Sequence, residues 1–465
     1  MRCFLSLGLC LAMTAVLSAA PDILFIVTDD QNPETIHALG NERIRTPNLD
    51  RLAAGGTAFT RAYAGYPICH VSRAEILTGC TPFRAYMNYP AGPIDPALKT
   101  MAQTFQEAGY LTWYSGKWHN DGHPKQRGYT GTRGLYSSGG VKGEKGPAMN
   151  ERGQAITGYT GWTFKSDDDG KAEPEKGIGL QADNSVHVAN GAIRAIADTP
   201  ADKRFLLHVN FAFPHDPRQW PADETQRYDP AHMKLPENFA PVHPFDHGNL
   251  HGRDETLLPI PREEAAVLTE LAIYYAMISD VDNQIGRILE ALEKAGRKDT
   301  IIVFISDQGL AMGSHGLLGK QNQYEHSIRS PLIIAGSELP KAKRTQALVH
   351  LRDLYPTFCE LAGIAIPGSV QGRSLLPLLQ GKTERVHDFV TGTFTDTQRM
   401  ICDERWKFIR YPQLGREQLF DLESDPHEMK DLSADPAHDE KKAGMKQKLQ
   451  AWLKEQGDPL GQTGW

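Results

Sequence analysis

The stretch Ile23-Leu24-Phe25-Ile26-Val27-Thr28-Asp29-Asp30 decides the fold class of this chain. Its first five residues are apolar and rich in β-branched side chains, which is typical of a strand that is buried on both faces of a sheet. Two carboxylates follow this strand directly. Because open α/β sheets bind ligands beyond the carboxyl ends of their strands, Asp29 and Asp30 are candidate binding residues. A solvated turn or a helix cap is the alternative that these residues alone leave open.

Helical and strand-like patterns alternate downstream of this strand. Helical patterns cover 48–54, 98–108, 184–197 and 267–292, and strand-like patterns cover 111–114, 205–213 and 300–305. This alternation predicts an α/β fold with a large, mostly parallel sheet that is flanked by helices. Beyond residue 372, four short strand-like segments and a terminal helix predict a smaller α+β subdomain with an antiparallel sheet. We therefore expect a main α/β domain over 21–372 and a C-terminal subdomain over 373–465.

The segment 120–179 is rich in glycine, lysine and aspartate and poor in aliphatic residues. It predicts a long irregular insertion within the main domain, and such insertions commonly form the walls of a pocket.

The overall composition is that of a globular protein, with 40% hydrophobic and 23% charged residues. A formal net charge of -7, without a dense basic block, argues against nucleic-acid binding. Residues 1–20 combine Arg2, an apolar core and Ser18-Ala19-Ala20, which is typical of a secretory signal peptide. No later segment has the pattern of a membrane span. We expect an exported protein, periplasmic or secreted, without stable membrane insertion.

The segment from Cys69 to Gly79 combines a thiol with the start of a helix. Ser72 and Glu75 have the S-x-x-E spacing of a capping box, so they predict a helix that begins at Ser72. Cys69 would then precede the helix, where free N–H groups and the helix dipole favour an anion. Arg73 adds a fixed positive charge. A buried structural cysteine is the alternative interpretation.

Four cysteines lie beyond the predicted signal peptide, at positions 69, 80, 359 and 402. Four in so long a chain do not indicate a disulfide scaffold. If Cys69 serves in chemistry, the other three can form at most one pair.

Further polar residues lie at other predicted strand ends or helix starts. They are Lys117, His119, His215, Asp307, Gln308 and Lys320. Their convergence on one edge of a parallel sheet predicts a single site. Oxygen ligands from two separate strands suit a hard cation and favour calcium over magnesium. Histidines and lysines supply proton transfer and stabilise anions, so the pattern predicts hydrolysis of an anionic ester.

These motifs together resemble the type I, formylglycine-dependent sulfatases of the alkaline phosphatase superfamily. The main signature is C-x-x-S-R-x-x-x-L-T-G over 69–79, and nearly the whole chain after residue 20 takes part in the resemblance. The other matching stretches are Asp29-Asp30, Gly116-Lys117-Trp118-His119, Pro214-His215, Ser306-Asp307-Gln308-Gly309, 316–320 and 419–426.

The resemblance implies that a formylglycine-generating or sulfatase-maturating enzyme oxidises Cys69 to formylglycine. The hydrate of this residue would attack sulfur and form a covalent sulfo-enzyme. Calcium would be held by five residues: Asp29, Asp30, Asp307, Gln308 and the modified residue 69. A sulfated carbohydrate is the expected substrate.

The resemblance also implies roles for the charged residues of the site. Arg73 and Lys117 would orient and stabilise the hydrate. His119 would take a proton when the intermediate collapses. His215 and Lys320 would bind the sulfate and assist the leaving oxygen.

Two residues depart from the family pattern. Gln308 stands where the family usually has asparagine or histidine, and Val71 stands where the maturation signature has proline or sometimes alanine. If Val71 blocks maturation, the chain is a catalytically silent protein that binds sulfated glycans. A second alternative is a phosphate or phosphonate ester hydrolase of the same superfamily, whose sites commonly use two transition-metal ions and more histidine ligands.

Overall fold

The computed structural model describes residues 20–89, 91–141, 143–156 and 158–462, so residues 1–19 of the predicted signal peptide lie outside the described residues. In these ranges the strands are β1 (Ile23–Thr28), β2 (Gly56–Tyr63), β3 (Tyr86–Asn88), β4 (Ala91–Ile94), β5 (Leu111–Trp118), β6 (Gly131–Ser137), β7 (Thr163–Lys165), β8 (Phe205–Asn210), β9 (Ile301–Ser306), β10 (Arg329–Ala335), β11 (Lys343–Thr345), β12 (Val349–His350), β13 (Val390–Phe394), β14 (Gln398–Cys402), β15 (Trp406–Tyr411) and β16 (Arg416–Asp421). The α-helices are α1 (Pro47–Gly55), α2 (Cys69–Thr78), α3 (Pro82–Ala85), α4 (Met101–Glu107), α5 (Asn184–Ala197), α6 (Glu264–Lys294), α7 (Glu325–Ile328), α8 (Leu354–Leu361), α9 (Leu376–Leu379), α10 (Asp439–Glu455) and α11 (Pro459–Gln462).

A ten-stranded sheet forms the centre of the described structure, in the order β11-β2-β10-β9-β1-β8-β5-β6-β7, with β12 paired to β2. Strand β1 lies between β8 and β9 and is parallel to both. Strand β10 is antiparallel to β2 and to β9, and β7 is antiparallel to β6. The predicted mostly parallel sheet is therefore confirmed.

Strand β1 is buried on both faces because successive side chains point to opposite sides of the sheet. Leu24 and Ile26 pack into one hydrophobic core together with α6 residues such as Val281. Phe25 and Val27 pack into a second core together with α8 residues such as Phe358. The continuous apolar run over 23–27 thus reflects helices on both faces of the sheet.

The C-terminal strands β13 to β16 form an antiparallel sheet in sequential order. Helix α10 packs on this sheet through an apolar cluster that includes Met445, Leu449 and Leu453. The predicted antiparallel sheet in this part of the chain is confirmed.

Helix α2 begins at Cys69, with Ile68 at its N-cap, so the predicted start at Ser72 is wrong. The two residues of the expected capping box have partners elsewhere in the fold. The Ser72 hydroxyl donates to the backbone oxygen of Asp307 over 2.5 Å. The Glu75 carboxylate accepts a hydrogen bond from the backbone nitrogen of Gly65 and pairs with Arg352. Tertiary contacts therefore replace the local cap.

The segment 120–179 contributes β6 and β7 to the large sheet, so the prediction of irregular structure throughout this segment is wrong. Strand β5 also continues to Trp118, beyond the predicted end at residue 114, and its later residues pair with β6.

The four cysteines at positions 69, 80, 359 and 402 are buried and free in the structure. Among the described helices, none is both long enough and apolar enough to cross a membrane.

Candidate active site

The carboxyl ends of β1 and β9 bring four predicted ligands to one point. The two strands are parallel, and Thr28 is in register with Ser306, so the residues that follow each strand share one edge of the sheet. Asp30 adopts the left-handed conformation with φ 67°, and its backbone nitrogen donates to Asp307 Oδ1 over 3.1 Å. The hydroxyl of Tyr274 donates to the backbone oxygen of Asp30 over 2.6 Å. These contacts fix the turn that carries Asp29 and Asp30.

Oxygen and sulfur atoms cluster at this edge. The ligand atoms of Asp29, Asp30, Cys69 and His215 all lie within 4.8 Å of one another. The side-chain amide of Gln308 donates to Asp30 Oδ1 over 2.5 Å and to Cys69 Sγ over 3.2 Å. Two further oxygens, Asp29 Oδ1 and Gln308 Oε1, are buried and have no hydrogen-bond partner among the described residues. Carboxylate and amide oxygens that lack a protein partner are suited to bind a hard cation such as calcium.

Cys69 is the first residue of α2, and only 1% of its surface is exposed. Burial, followed by the charge of Asp29, raises the pKa of its thiol well above the usual value. The thiol is therefore protonated at neutral pH, and a protonated thiol is a poor nucleophile.

Three buried cations surround the carboxylates. Arg73 reaches Asp307 Oδ2 from α2, and Lys117 Nζ donates to Asp29 Oδ2 from β5. Lys320 Nζ lies 2.6 Å from Asp30 Oδ2. Each of the three aspartates thus has a cationic partner, which offsets part of the cost of burying it.

The same contacts shift the pKa values of two carboxyl groups in opposite directions. Burial alone would raise the pKa of Asp29, but the charges of Lys117, His215 and Arg73 hold it well below the usual value. Burial raises the pKa of Asp30 to about 7 despite Lys320, and the neighbouring aspartates add to this effect. A bound cation would favour the ionised form of both groups.

Two histidines complete the site. His119 directly follows β5, and burial and the charge of Lys117 hold its pKa well below the usual value. His215 Nε2 lies 3.6 Å from Asp30 Oδ2, and burial and the charge of Lys320 lower its pKa in the same way. Both imidazoles are therefore neutral at neutral pH and able to accept a proton.

All ten residues that the sequence singled out lie together in the structure. Nine are joined by the contacts described above or by the 3.8 Å approach of Arg73 to Asp29. The tenth, His119, packs edge-on against Trp162, which in turn contacts Tyr159 next to Lys117.

Three further residues take part in the site without having been predicted. Asn210, the last residue of β8, accepts a hydrogen bond from Arg73 Nη1 over 2.5 Å, and its position at a strand end is a signal that could have found it. The hydroxyl of Tyr159 lies between Lys117 and Asp29. Arg253 Nη2 lies 3.3 Å from His215 Nε2. Tyr159 and Arg253 lie outside the predicted strands, so no strand-end signal marks them.

Comparison with known proteins shows the family of this chain. The family model described as sulfatase matches residues 21–364. The chain belongs to the sulfatase family. A second model, the C-terminal region of N-sulphoglucosamine sulphohydrolase, matches residues 313–455. This sulfatase is 32% identical to an arylsulfatase of Clostridium perfringens in an alignment of 441 positions that covers 89% of this chain and 90% of that one. It is a sulfuric ester hydrolase, as the anionic-ester pattern predicts.

Solved structures share the fold of this sulfatase. BT4656 in complex with its substrate D-glucosamine-2-N,6-O-disulfate has a TM-score of 0.75 at 23% identity and covers 96% of this chain and 100% of its own. A phosphonate monoester hydrolase from Silicibacter pomeroyi has a TM-score of 0.76 at 21% identity, with 94% and 96% covered. At these identities the likeness extends to the fold alone.

Proposed function

We propose that this sulfatase is exported and hydrolyses a sulfate ester on a sulfated carbohydrate, using a formylglycine made from Cys69 and a calcium ion. The observation that carries the proposal is the position of Cys69, whose sulfur lies within the buried cluster of Asp29, Asp30 and His215. The carbohydrate class is supported by the shared fold with BT4656, which was solved with a sulfated glucosamine.

The proposed calcium ligands are Asp29, Asp30, Asp307, Gln308 and the modified residue 69. The donor set supports this choice, because carboxylate and amide oxygens are the ligands that calcium prefers. Asp29 Oδ1 and Gln308 Oε1 are buried without a hydrogen-bond partner among the described residues, which supports a ligand at these two side chains. Amide oxygen and nitrogen are interchangeable by a flip of the side chain, so Gln308 can present either atom. A calcium ion there supplies positive charge that balances the aspartates and the sulfate.

The protonated thiol of Cys69 is a poor nucleophile. A formylglycine at position 69 would supply a hydrated aldehyde as the nucleophile instead. Arg73 and Lys117 hold the surrounding carboxylates in place by direct ion pairs. The neutral imidazole of His119 is able to accept a proton from a hydroxyl group at the site. Lys320 and His215 both face Asp30, and in this proposal they bind the sulfate and assist the leaving oxygen, with the Lys320 ammonium as the proton donor.

Mass spectrometry of the peptide that contains residue 69 tests the nucleophile. We expect an aldehyde at this position when the chain is produced with a maturating enzyme, and sulfate release from a panel of sulfated mono- and oligosaccharides. Cys69→Ala should abolish release. Equal hydrolysis by the wild type and Cys69→Ala would show that the nucleophile is assigned wrongly.

The same preparations separate the two alternatives. An unmodified thiol at residue 69 together with saturable binding of sulfated glycans would identify a silent binding protein. In that case Val71→Ala should restore the aldehyde, because alanine occurs at this position of the maturation signature. A higher kcat/KM for phosphonate monoesters than for any sulfate ester would instead favour the phosphonate hydrolase.

The N-terminal residue of protein recovered from the periplasm or medium tests export, with cleavage after residue 20 as the expected result.

A further inference from the structure

The hydroxyl of Tyr159 connects two of the charged groups at the site. Lys117 Nζ lies 2.6 Å from this hydroxyl, and the hydroxyl lies 2.6 Å from Asp29 Oδ2. Tyr159 is buried, with 7% of its surface exposed. It belongs to the segment 120–179, so the insertion reaches the centre of the site through this side chain.

The direction of the two hydrogen bonds follows from the chemistry of the groups. An ammonium group can only donate, and a phenol has a single proton. The Tyr159 hydroxyl therefore accepts from Lys117 and donates to Asp29 Oδ2. Lys117 also donates to this same oxygen. Asp29 Oδ2 thus has two donors, whereas Oδ1 has no hydrogen-bond partner among the described residues.

The backbone at Tyr159 is held in an unfavourable conformation, which suggests that the position of the side chain matters. Its φ is 59°, in the left-handed region that residues with a side chain rarely adopt. The ring is fixed by Trp162 at 5.0 Å and by His215 at 4.8 Å, measured between ring centroids. A residue that only filled space would not require a hydroxyl with two charged partners.

We propose that Tyr159 is a positioning residue for the calcium ion: it holds the Asp29 carboxylate so that Oδ1 faces the cation, and it holds Lys117 beside it. This inference rests on the proposed calcium site. Hydrogen bonds to the ligands of a metal typically change its affinity by 10- to 100-fold when they are removed. Loss of the Tyr159 hydroxyl should therefore weaken calcium binding by roughly tenfold or more.

The chain offers a matched control for this test. Tyr136 belongs to the same aromatic cluster, with its ring centroid 5.9 Å from that of Tyr159. It is fully buried, and its hydroxyl has no hydrogen-bond partner among the residues that the structure describes. Tyr159→Phe and Tyr136→Phe thus remove the same atom from neighbouring buried rings, but only the first removes two hydrogen bonds.

The experiment is a calorimetric titration of calcium into the full chain after treatment with a chelator, for the wild type and both variants. Melting temperatures in the presence of the chelator report on the fold without calcium. We expect Tyr159→Phe to bind calcium at least about tenfold more weakly and Tyr136→Phe to match the wild type. Without calcium the two variants should melt within a few degrees of each other, since the loss of two hydrogen bonds has only a modest cost.

Two results would overturn the inference and leave the calcium site standing. One is equal calcium affinity in the wild type and Tyr159→Phe. The other is a calcium-free melting temperature much lower for Tyr159→Phe than for Tyr136→Phe, because the tyrosine would then serve the fold. Absence of calcium binding by the wild type is a separate outcome, which overturns the calcium site and this inference together.

Discussion

The guanidinium of Arg73 binds Asp307 through two nitrogens, Nε and Nη2, each 2.9 Å from the carboxylate oxygen Oδ2. Its third nitrogen, Nη1, donates to Asn210 at the end of β8. Asp307 Oδ1 is left to accept from the backbone of Asp30. One buried side chain on α2 therefore ties together the ends of three neighbouring strands, β1, β8 and β9.

Arg73→Lys should lower sulfate release by at least about tenfold, although it conserves the charge, because lysine cannot bind Asp307 and Asn210 with the same planar fork. Arg73→Ala should also destabilise the fold by about 3–5 kcal/mol, since it leaves a buried carboxylate without its cation. Activity assays and urea unfolding of both variants measure these effects. Wild-type rates in Arg73→Lys would show that the fork is not needed.

Removal of calcium should lower the melting temperature, and added calcium should restore it. The stabilisation should be about 2.7 kcal/mol at a calcium concentration of 100 times Kd. Gln308→Asn keeps an amide oxygen at this position, so it should retain binding. Gln308→Leu, which has no oxygen, should bind more weakly than Gln308→Asn. Equal affinities in these two variants would remove Gln308 from the ligand set.

His119 should remain a competent proton acceptor at mildly acidic pH. Burial and Lys117 hold its pKa well below the usual 6.5, so the unprotonated form persists as the pH falls. The decrease in kcat/KM that protonation of His119 causes at acidic pH should therefore occur below pH 6.5. His119→Gln should lower kcat by roughly 100- to 10,000-fold. His37→Gln is the control, because His37 has a side chain that is 53% exposed. An unchanged kcat in His119→Gln would contradict its assigned role.

Glu75 should make the stability of the fold depend on pH. Burial raises its pKa from 4.5 to about 7, even though it pairs with Arg352. Between these values the folded state retains a proton that the unfolded state releases. The contribution of Glu75 to the free energy of unfolding is thus full below pH 4.5 and is lost as the pH rises through about 7, by at most about 1.4 kcal/mol per pH unit.

Urea unfolding of the wild type and Glu75→Gln across this range measures the effect. The wild type should lose stability with rising pH more steeply than the variant, and above about pH 7 the two curves should run parallel. Glu107→Gln serves as the control, because that side chain is 61% exposed. Parallel curves over the whole range would show that folding does not shift the pKa of Glu75.

The regular elements were predictable wherever burial imposes a period on the sequence. The helix over 184–197 has the predicted bounds, and the helix predicted over 267–292 extends to Glu264–Lys294. The strands of the C-terminal sheet lie within about two residues of the strand-like segments at 389–395, 399–402, 407–411 and 418–422. In such elements the spacing of the buried apolar residues shows whether the segment is a helix or a strand.

Prediction failed where a residue has a distant partner. The spacing of Ser72 and Glu75 is that of a local cap, yet Ser72 bonds to Asp307, which is 235 positions away. Strand β6 contains Gly131 and Gly134, and glycine weakens the strand pattern in the sequence. It forms because β5 offers it a parallel neighbour.

The sequence by itself determined the α/β architecture, the family and all ten candidate residues of the site, because each of these is expressed in local patterns and strand ends. Only the tertiary structure decided how these residues are paired: Lys117 with Asp29, Lys320 with Asp30, and Arg73 with Asp307. It also decided which oxygen of Asp29 lacks a hydrogen-bond partner among the described residues, because a hydroxyl that binds the other oxygen comes from Tyr159, 130 positions along the chain. Such a partner is set by how the insertion folds back onto the sheet, and no local pattern encodes that path.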